Sequence, residues 1–399
     1  MKISKRVSAM QESPIRKLLA YSDDAKSRGI KVYHLNIGQP DIPTPTSIYD
    51  AIKNYSEHVL AYGPSQGLKV ARETVSDYLN SMKYNIDSKD VFITTGGSEA
   101  IIFAMMVIAD TNEEIIIPEP FYTNYNGFAS MAGVKIVPLT TKVENGFHLP
   151  EEKEFEKVIT SKTRAILVCS PNNPTGTIFS KKEMETVVKI AKKHNLYILS
   201  DEVYREFVFD GKKHTSILEI EEAREISIML DSISKRFSAC GARIGYLVSK
   251  NPEIMKGVMK LGQARLCPPT IEQIGMIEGY KHMSMFMSKM IAEYQERRDV
   301  VYENLKKVKG IFTRKPEGAF YVVVKLPVDD ADNFAKWMLT DFQVNGKTVM
   351  VAPANGFYAT EGMGKDEIRI AYVLNKFDLK DAISILSKGI EDYNRRNNG

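Results

Sequence analysis

Cysteine is scarce in this chain: three residues in 399 (Cys169, Cys240, Cys267), none in a C-x-x-C pair. Three thiols cannot all be bridged, so a disulfide-stapled scaffold is excluded and a reduced, cytoplasmic setting is expected. The six histidines are scattered without H-x-x-x-H spacing, so no metal-ligand pattern is present. Long apolar runs are missing too. The longest, residues 100–109, is about half of the roughly 20 residues a membrane-spanning helix needs. The opening Met1-Lys2-Ile3-Ser4-Lys5-Arg6 has charge but no apolar core of a signal peptide. Neither charge sign dominates: 54 basic against 50 acidic residues leaves +4, too slight to suggest nucleic acid or a membrane surface as partner. No repeat at a solenoid period and no low-complexity segment occurs.

What is there is ordinary for a globular protein, 43% hydrophobic and 26% charged, with length enough for a large core and two domains. Residues 31–35, 91–94, 164–169, 196–199 and 246–249 read as strands, and the apolar run 226–230 as a buried parallel strand. Helical spacing predicts helices over 14–29, 100–109, 252–262 and 270–305. Another follows residue 67, with Leu68, Ala71, Val75, Tyr78, Leu79 and Met82 as its core face. The methionine-rich tract 282–290 reads as a helix face packed in a core or subunit interface. From about residue 310 the pattern becomes a smaller α+β unit, with strands at 319–325, 349–352 and 367–373 and helices at 331–342 and from Asp378.

Chemistry-bearing residues gather where the strands end. Lys235 follows the 226–230 strand in Asp231-Ser232-Ile233-Ser234-Lys235, with Arg243 and Gly245 shortly after. Held out of bulk water, a lysine amine loses part of its preference for the charged form and becomes a usable nucleophile. Ser232 and Arg243 are the donors a phosphate beside that amine would want. Two readings stand: a solvated lysine in a polar loop, or an amine that forms a Schiff base with pyridoxal phosphate. Thr95-Gly96-Gly97-Ser98-Glu99 joins a strand to an apolar helix, either as an anion-facing helix start or as a tight turn. Asn173, in Pro171-Asn172-Asn173-Pro174, presents its amide inward or simply turns the chain. Asp201 ends a buried strand, where a carboxylate needs a cationic partner or raises its own pKa; a helix cap is the alternative. Arg369 lies among aliphatic neighbours on a strand and needs an anion, either a substrate carboxylate or an internal acid. Gly38 belongs to a turn open to a ligand's approach or to a plain loop. In an open α/β sheet, ligands bind at the carboxyl ends of the strands. Anion donors, an amide, a carboxylate and a lysine delivered to one edge argue together for a site.

Seven motifs occur in order: LNIGQPD (35–41), YGPSQG (62–67), TGGSEA (95–100), PNNPTG (171–176), SDEVY (200–204), SISKRFSACGARIGY (232–246) and EIRIAYV (367–373). With them the chain resembles the fold-type I, pyridoxal-phosphate-dependent aminotransferases of the aspartate aminotransferase class. The resemblance implies an α/β fold. A large domain, residues 46–290, would hold a mainly parallel sheet between helices, and residues 1–45 with 291–399 would form a smaller α+β domain. It implies that Lys235 holds the cofactor covalently, that Asp201 pairs with its pyridine nitrogen, and that Tyr204 and Asn173 bond its phenolic oxygen. Tyr122 would stack on the ring, and Ser232, Arg243 and the backbone around Gly97 and Ser98 would bind the phosphate. Tyr62 would reach the phosphate in the other subunit of a homodimer. Arg369, helped by Gly38 and Asn173, would clamp the substrate carboxylate. A cis bond before Pro174 is implied as well.

The implied substrates are an amino acid and a 2-oxo acid, with aspartate and 2-oxoglutarate first. Alanine or a broad range comes next, and a C–S β-lyase on the same scaffold after that. Many bacterial aspartate-specific members carry a lysine directly after the Gly-Gly pair, and Ser98 stands there instead. Arg265 is one replacement cation, with a structural arginine as the competing reading. A cofactor-sensing transcription regulator is not expected, because only about 30 residues precede the first motif, too few for a helix-turn-helix module.

Overall fold

The computed structural model describes residues 2–397. A first short strand, β1 (Lys31–His34), precedes seven that form one sheet. These are β2 (Val91–Thr94), β3 (Glu114–Glu119), β4 (Lys135–Thr140), β5 (Thr163–Cys169), β6 (Tyr197–Asp201), β7 (Ser227–Ser232) and β8 (Gly245–Val248). Their order is β2-β8-β7-β6-β5-β3-β4, with β8 antiparallel to both neighbours and every other pair parallel. Period-2 alternation sends neighbouring side chains to opposite faces. Ile166, Val168 and Ile198 join one hydrophobic cluster, while Ala165, Leu167 and Leu199 join another. Helices Lys69–Ser81, Lys181–His194 and Thr270–Lys281 cover the first face; Gly96–Ile108, Asn124–Ala132 and Pro252–Arg265 cover the second. Both faces are dry, so the central strands are near-continuous apolar runs.

Beyond β9 (Phe312–Thr313), strands β10 (Tyr321–Lys325), β11 (Lys347–Met350), β12 (Ala352–Pro353) and β13 (Glu367–Ala371) complete the set. An antiparallel sheet runs β12-β13-β10-β9, and β11 pairs parallel with β1. Helices Met283–Leu305, Ala331–Thr340 and Lys376–Asn397 pack on this unit. Met287 and Met290 are buried there, whereas Met285 is 74% exposed, so the methionine tract gives only one of its faces to the core.

Three differences from the sequence reading have physical causes. β3 and β4 were not anticipated, because a proline interrupts each. Pro138 lies on the edge strand, and Pro118 lies beyond the last β3 residue paired with β5, so neither removes a ladder bond. The first long helix spans only Leu19–Ser27. Ahead of it, the carbonyl of Ile15 is taken by the Asn36 amide at 2.9 Å instead of by a helical N–H. The expected 270–305 helix is two, broken at His282.

Candidate active site

Five loops converge on the carboxyl edge of the large sheet around a cavity of about 480 Å³. Asp201 and Ser232 are the final residues of β6 and β7 rather than lying past them. Ser232 starts a single helical turn, Ile233–Arg236: its Oγ accepts from the Ser234 N–H at 3.1 Å and donates to the Ile244 carbonyl at 2.9 Å. Lys235 rides on that turn, and its Nζ donates to the carbonyl of Gly38 at 2.8 Å. A Cβ on Gly38 would overlap the Tyr321 hydroxyl, so a glycine is required there. Behind the turn, Arg236 is fully buried and donates to Asp231 at 2.7 Å, and Tyr246 donates to the same carboxylate at 2.7 Å. This dry pair fixes the turn that carries the lysine, because neither partner can be left without the other in the interior.

Asp201 is buried, and among the described residues no cation forms an ion pair with it. It accepts from the Tyr125 hydroxyl at 2.6 Å and from the Val203 N–H at 3.3 Å. Burial pushes its carboxyl up to about 6. The helix Gly96–Ile108 begins directly after β2, so Gly97 and Ser98 lie in its first turn with their N–H groups toward the cavity edge. Gly96 has φ +76°, and a Cβ there would strike the Arg243 guanidinium. Arg243 itself holds the left-handed backbone region, φ +53°, a conformation costing a non-glycine residue about 1–2 kcal/mol. Together they form an anion cradle.

Tyr204 shares a 2.8 Å hydrogen bond with Tyr321, both buried. Tyr122 lines the cavity and its hydroxyl accepts from Asn124 at 2.7 Å. Arg369 is 1% exposed. Its guanidinium donates to Asn173 Oδ1 at 3.1 Å and to the Asn36 carbonyl, it lies over the Tyr321 and Phe357 rings, and its Nε has no partner. Among the described residues no carboxylate pairs with it, and burial lowers its pKa. The bond before Pro174 is cis, as are those before Pro120 and Pro171. Tyr62 stands apart: it is 82% exposed and does not line this chain's cavity. Arg265 does not line it either. It donates to Glu99 at 2.5 Å and to the Ser65 carbonyl at 2.9 Å, so it is a structural arginine.

A lysine amine, a buried acid, an anion cradle and a buried arginine that no carboxylate of the described residues pairs with, on the strand ends of an α/β sheet, invite comparison with known proteins. The family model "Aminotransferase class I and II" matches residues 30–386. This chain belongs to that aminotransferase family. An aspartate aminotransferase of Sulfolobus acidocaldarius is 33% identical, over 94% of this chain and 95% of its own. An aromatic-amino-acid aminotransferase of Thermococcus litoralis is 31% identical, over 98% and 99%. The solved alanine aminotransferase of Pyrococcus furiosus superimposes with a TM-score of 0.89 at 29% identity, over 98% and 100% of the two chains.

In this aminotransferase, sequence reasoning passed over several residues that shape the site. Tyr125 and Tyr321 are aromatic residues inside apolar segments, where core packing is the default reading. Asn36 was seen only as part of a turn, although its side chain and carbonyl tie Ile15 to Arg369. Among the described residues no group of three or more His, Cys, Asp or Glu could hold a metal ion, and no helix is long and apolar enough to cross a membrane.

Proposed function

We propose that the protein transfers the amino group of an L-amino acid to a 2-oxo acid with pyridoxal phosphate as cofactor, aspartate and 2-oxoglutarate being the favoured pair. The observation carrying this reading is Arg369: a buried guanidinium that no carboxylate of the described residues pairs with, its Nε without a partner, sharing one cavity with Lys235 and Asp201. Keeping a charge in the interior unpaired costs several kcal/mol, so the position is explained by an incoming carboxylate. The residues fit the cofactor. Asp201 lacks a cation, as a carboxylate facing a protonated pyridine nitrogen would. Gly97, Ser98, Ser232 and Arg243 make the cradle for its phosphate, and the Lys235 amine is available to its aldehyde. Tyr204 and Asn173 supply polar groups for its phenolic oxygen, and Tyr122 supplies a ring.

When bound, pyridoxal phosphate accepts the electron pair left as the substrate Cα proton departs. Lys235, released from the Gly38 carbonyl, takes that proton and returns it, as base and then acid. Asp201 stays ionised opposite a cation, and Arg369 with Asn173 fixes the carboxylate so that the Cα–H faces Lys235. We further assign residues 46–290 to a large domain and 1–45 with 291–399 to a small one. We place the protein in the cytoplasm as a homodimer in which exposed Tyr62 completes the partner's phosphate site.

Alanine is the second donor to consider, since Ser98 stands where a distal carboxylate would want a cation and Arg265 is spent on Glu99. The test is a single-turnover assay without oxo acid. Aspartate should release oxaloacetate once and then stop until 2-oxoglutarate is added. Continuous pyruvate and ammonia from a cysteine conjugate would instead establish a lyase.

A further inference from the structure

Four cations line the active-site cavity: Arg16, Lys235, Arg243 and Arg369. The roles of three are set by their contacts. Lys235 is held by Gly38, Arg243 donates to the Cys240 carbonyl at 3.0 Å beside the glycine cradle, and Arg369 is held by Asn173 and Asn36. Arg16 differs. Like Arg243 it is exposed, but its side chain makes no hydrogen bond or ion pair to any described residue. The acids lining the cavity, Asp201 and Asp231, are both buried, so among the described residues no exposed cavity acid competes for it.

The backbone around Arg16 is nonetheless fixed. The Asn36 amide holds the Ile15 carbonyl at 2.9 Å, and the Asn36 carbonyl in turn accepts from Arg369. Pro14 packs against Gly356, Gln11 accepts from the Asn126 amide at 2.8 Å, and Lys17 pairs with Asp332. Residues 11–17 are therefore a strap tied to both sheet units. One guanidinium free of bonded partners projects from it, one residue beyond Ile15, whose carbonyl is linked through Asn36 to Arg369.

We propose that Arg16 is a specificity residue that binds the side-chain carboxylate of dicarboxylic amino and 2-oxo acids. This rests on the aminotransferase reading above and deepens it: the cation absent at Ser98 is supplied from the strap. A substrate held by Arg369 at its α-carboxylate and extending toward the mouth meets Arg16, the cavity cation whose side chain is bonded to no described residue. Guanidinium and carboxylate match in a bidentate pair.

The experiment uses the cofactor-loaded enzyme and its Arg16→Gln and Arg16→Lys variants, measuring kcat/KM for aspartate, glutamate and alanine. Arg16→Gln should lose roughly tenfold to a hundredfold with aspartate and glutamate. It should stay within about twofold of the parent with alanine, and Arg16→Lys should recover part of the loss. Raised salt should increase KM for aspartate in the parent and much less in Arg16→Gln, because an exposed ion pair is screened. Equal losses for all three amino acids, or none for the dicarboxylic pair, overturn the proposal. So does a parent enzyme that reacts with alanine alone, although aminotransfer itself then stands. A parent that reacts with no amino acid overturns both readings.

Discussion

Asp201 without its cofactor should behave as a buried acid that destabilises the protein at neutral pH. Burial raises its carboxyl from 3.8 to about 6. At about 1.4 kcal/mol per pH unit, that displacement amounts to about 3 kcal/mol. The folded-state pKa is above the unfolded one, so the group's stabilising contribution is full below about 3.8 and lost as pH rises through about 6. Asp201→Asn removes the titration while keeping an oxygen for Tyr125 to donate to. Urea unfolding of the cofactor-free proteins between pH 4 and 8 should therefore show the variant gaining on the parent, by up to about 3 kcal/mol above pH 6. Adding pyridoxal phosphate should reverse the ranking, because a cationic ring nitrogen opposite Asp201 relieves the parent and gives the asparagine nothing. Parallel stability profiles with and without cofactor would refute the argument that Asp201 is held for a cation.

Lys235→Ala should lose at least about a thousandfold in kcat, the scale of general base catalysis with loss of a nucleophile, while still binding cofactor without a covalent bond; near-normal turnover would sink the mechanism. Arg369→Leu should lower kcat/KM about a hundredfold for amino acids but leave simple amines without a carboxylate unaffected, a comparison that steady-state kinetics reads directly. Tyr125→Phe removes a hydrogen bond that favours the ionised form of Asp201, so the stability inflection of the cofactor-free protein should move above pH 6 in the same unfolding series.

Much of the site was legible because it is built from local rules. Strand-end loops of an α/β sheet gather at one edge, so Lys235, Asp201, Asn173 and the glycine pair could be brought together before any coordinates. Each strand of that sheet from β5 to β8 was anticipated within a residue or two, since burial on both faces leaves an apolar run with polar residues at its end. β3 and β4 escaped for the opposite reason: Pro118 and Pro138 deny a strand only when both its sides carry a ladder, and pairing is not written in the local sequence. Tyr122, three residues past β3, was identified through family resemblance alone.

Charge partners are the least local property of all. Arg265 and Arg16 are both arginines near loops, and nothing in their neighbours distinguishes them. Glu99 lies 166 positions from Arg265 and decides that this arginine braces the start of the helix instead of facing substrate. For Arg369, period-2 spacing could state the need for an anion but not its source; the fold supplies carbonyl and amide oxygens from Asn36 and Asn173 and, among the described residues, no carboxylate. The same logic makes Arg16 informative. A cation on a tied strap at a cavity mouth is not held there by an ion pair of the described residues, which leaves its guanidinium available to an incoming carboxylate.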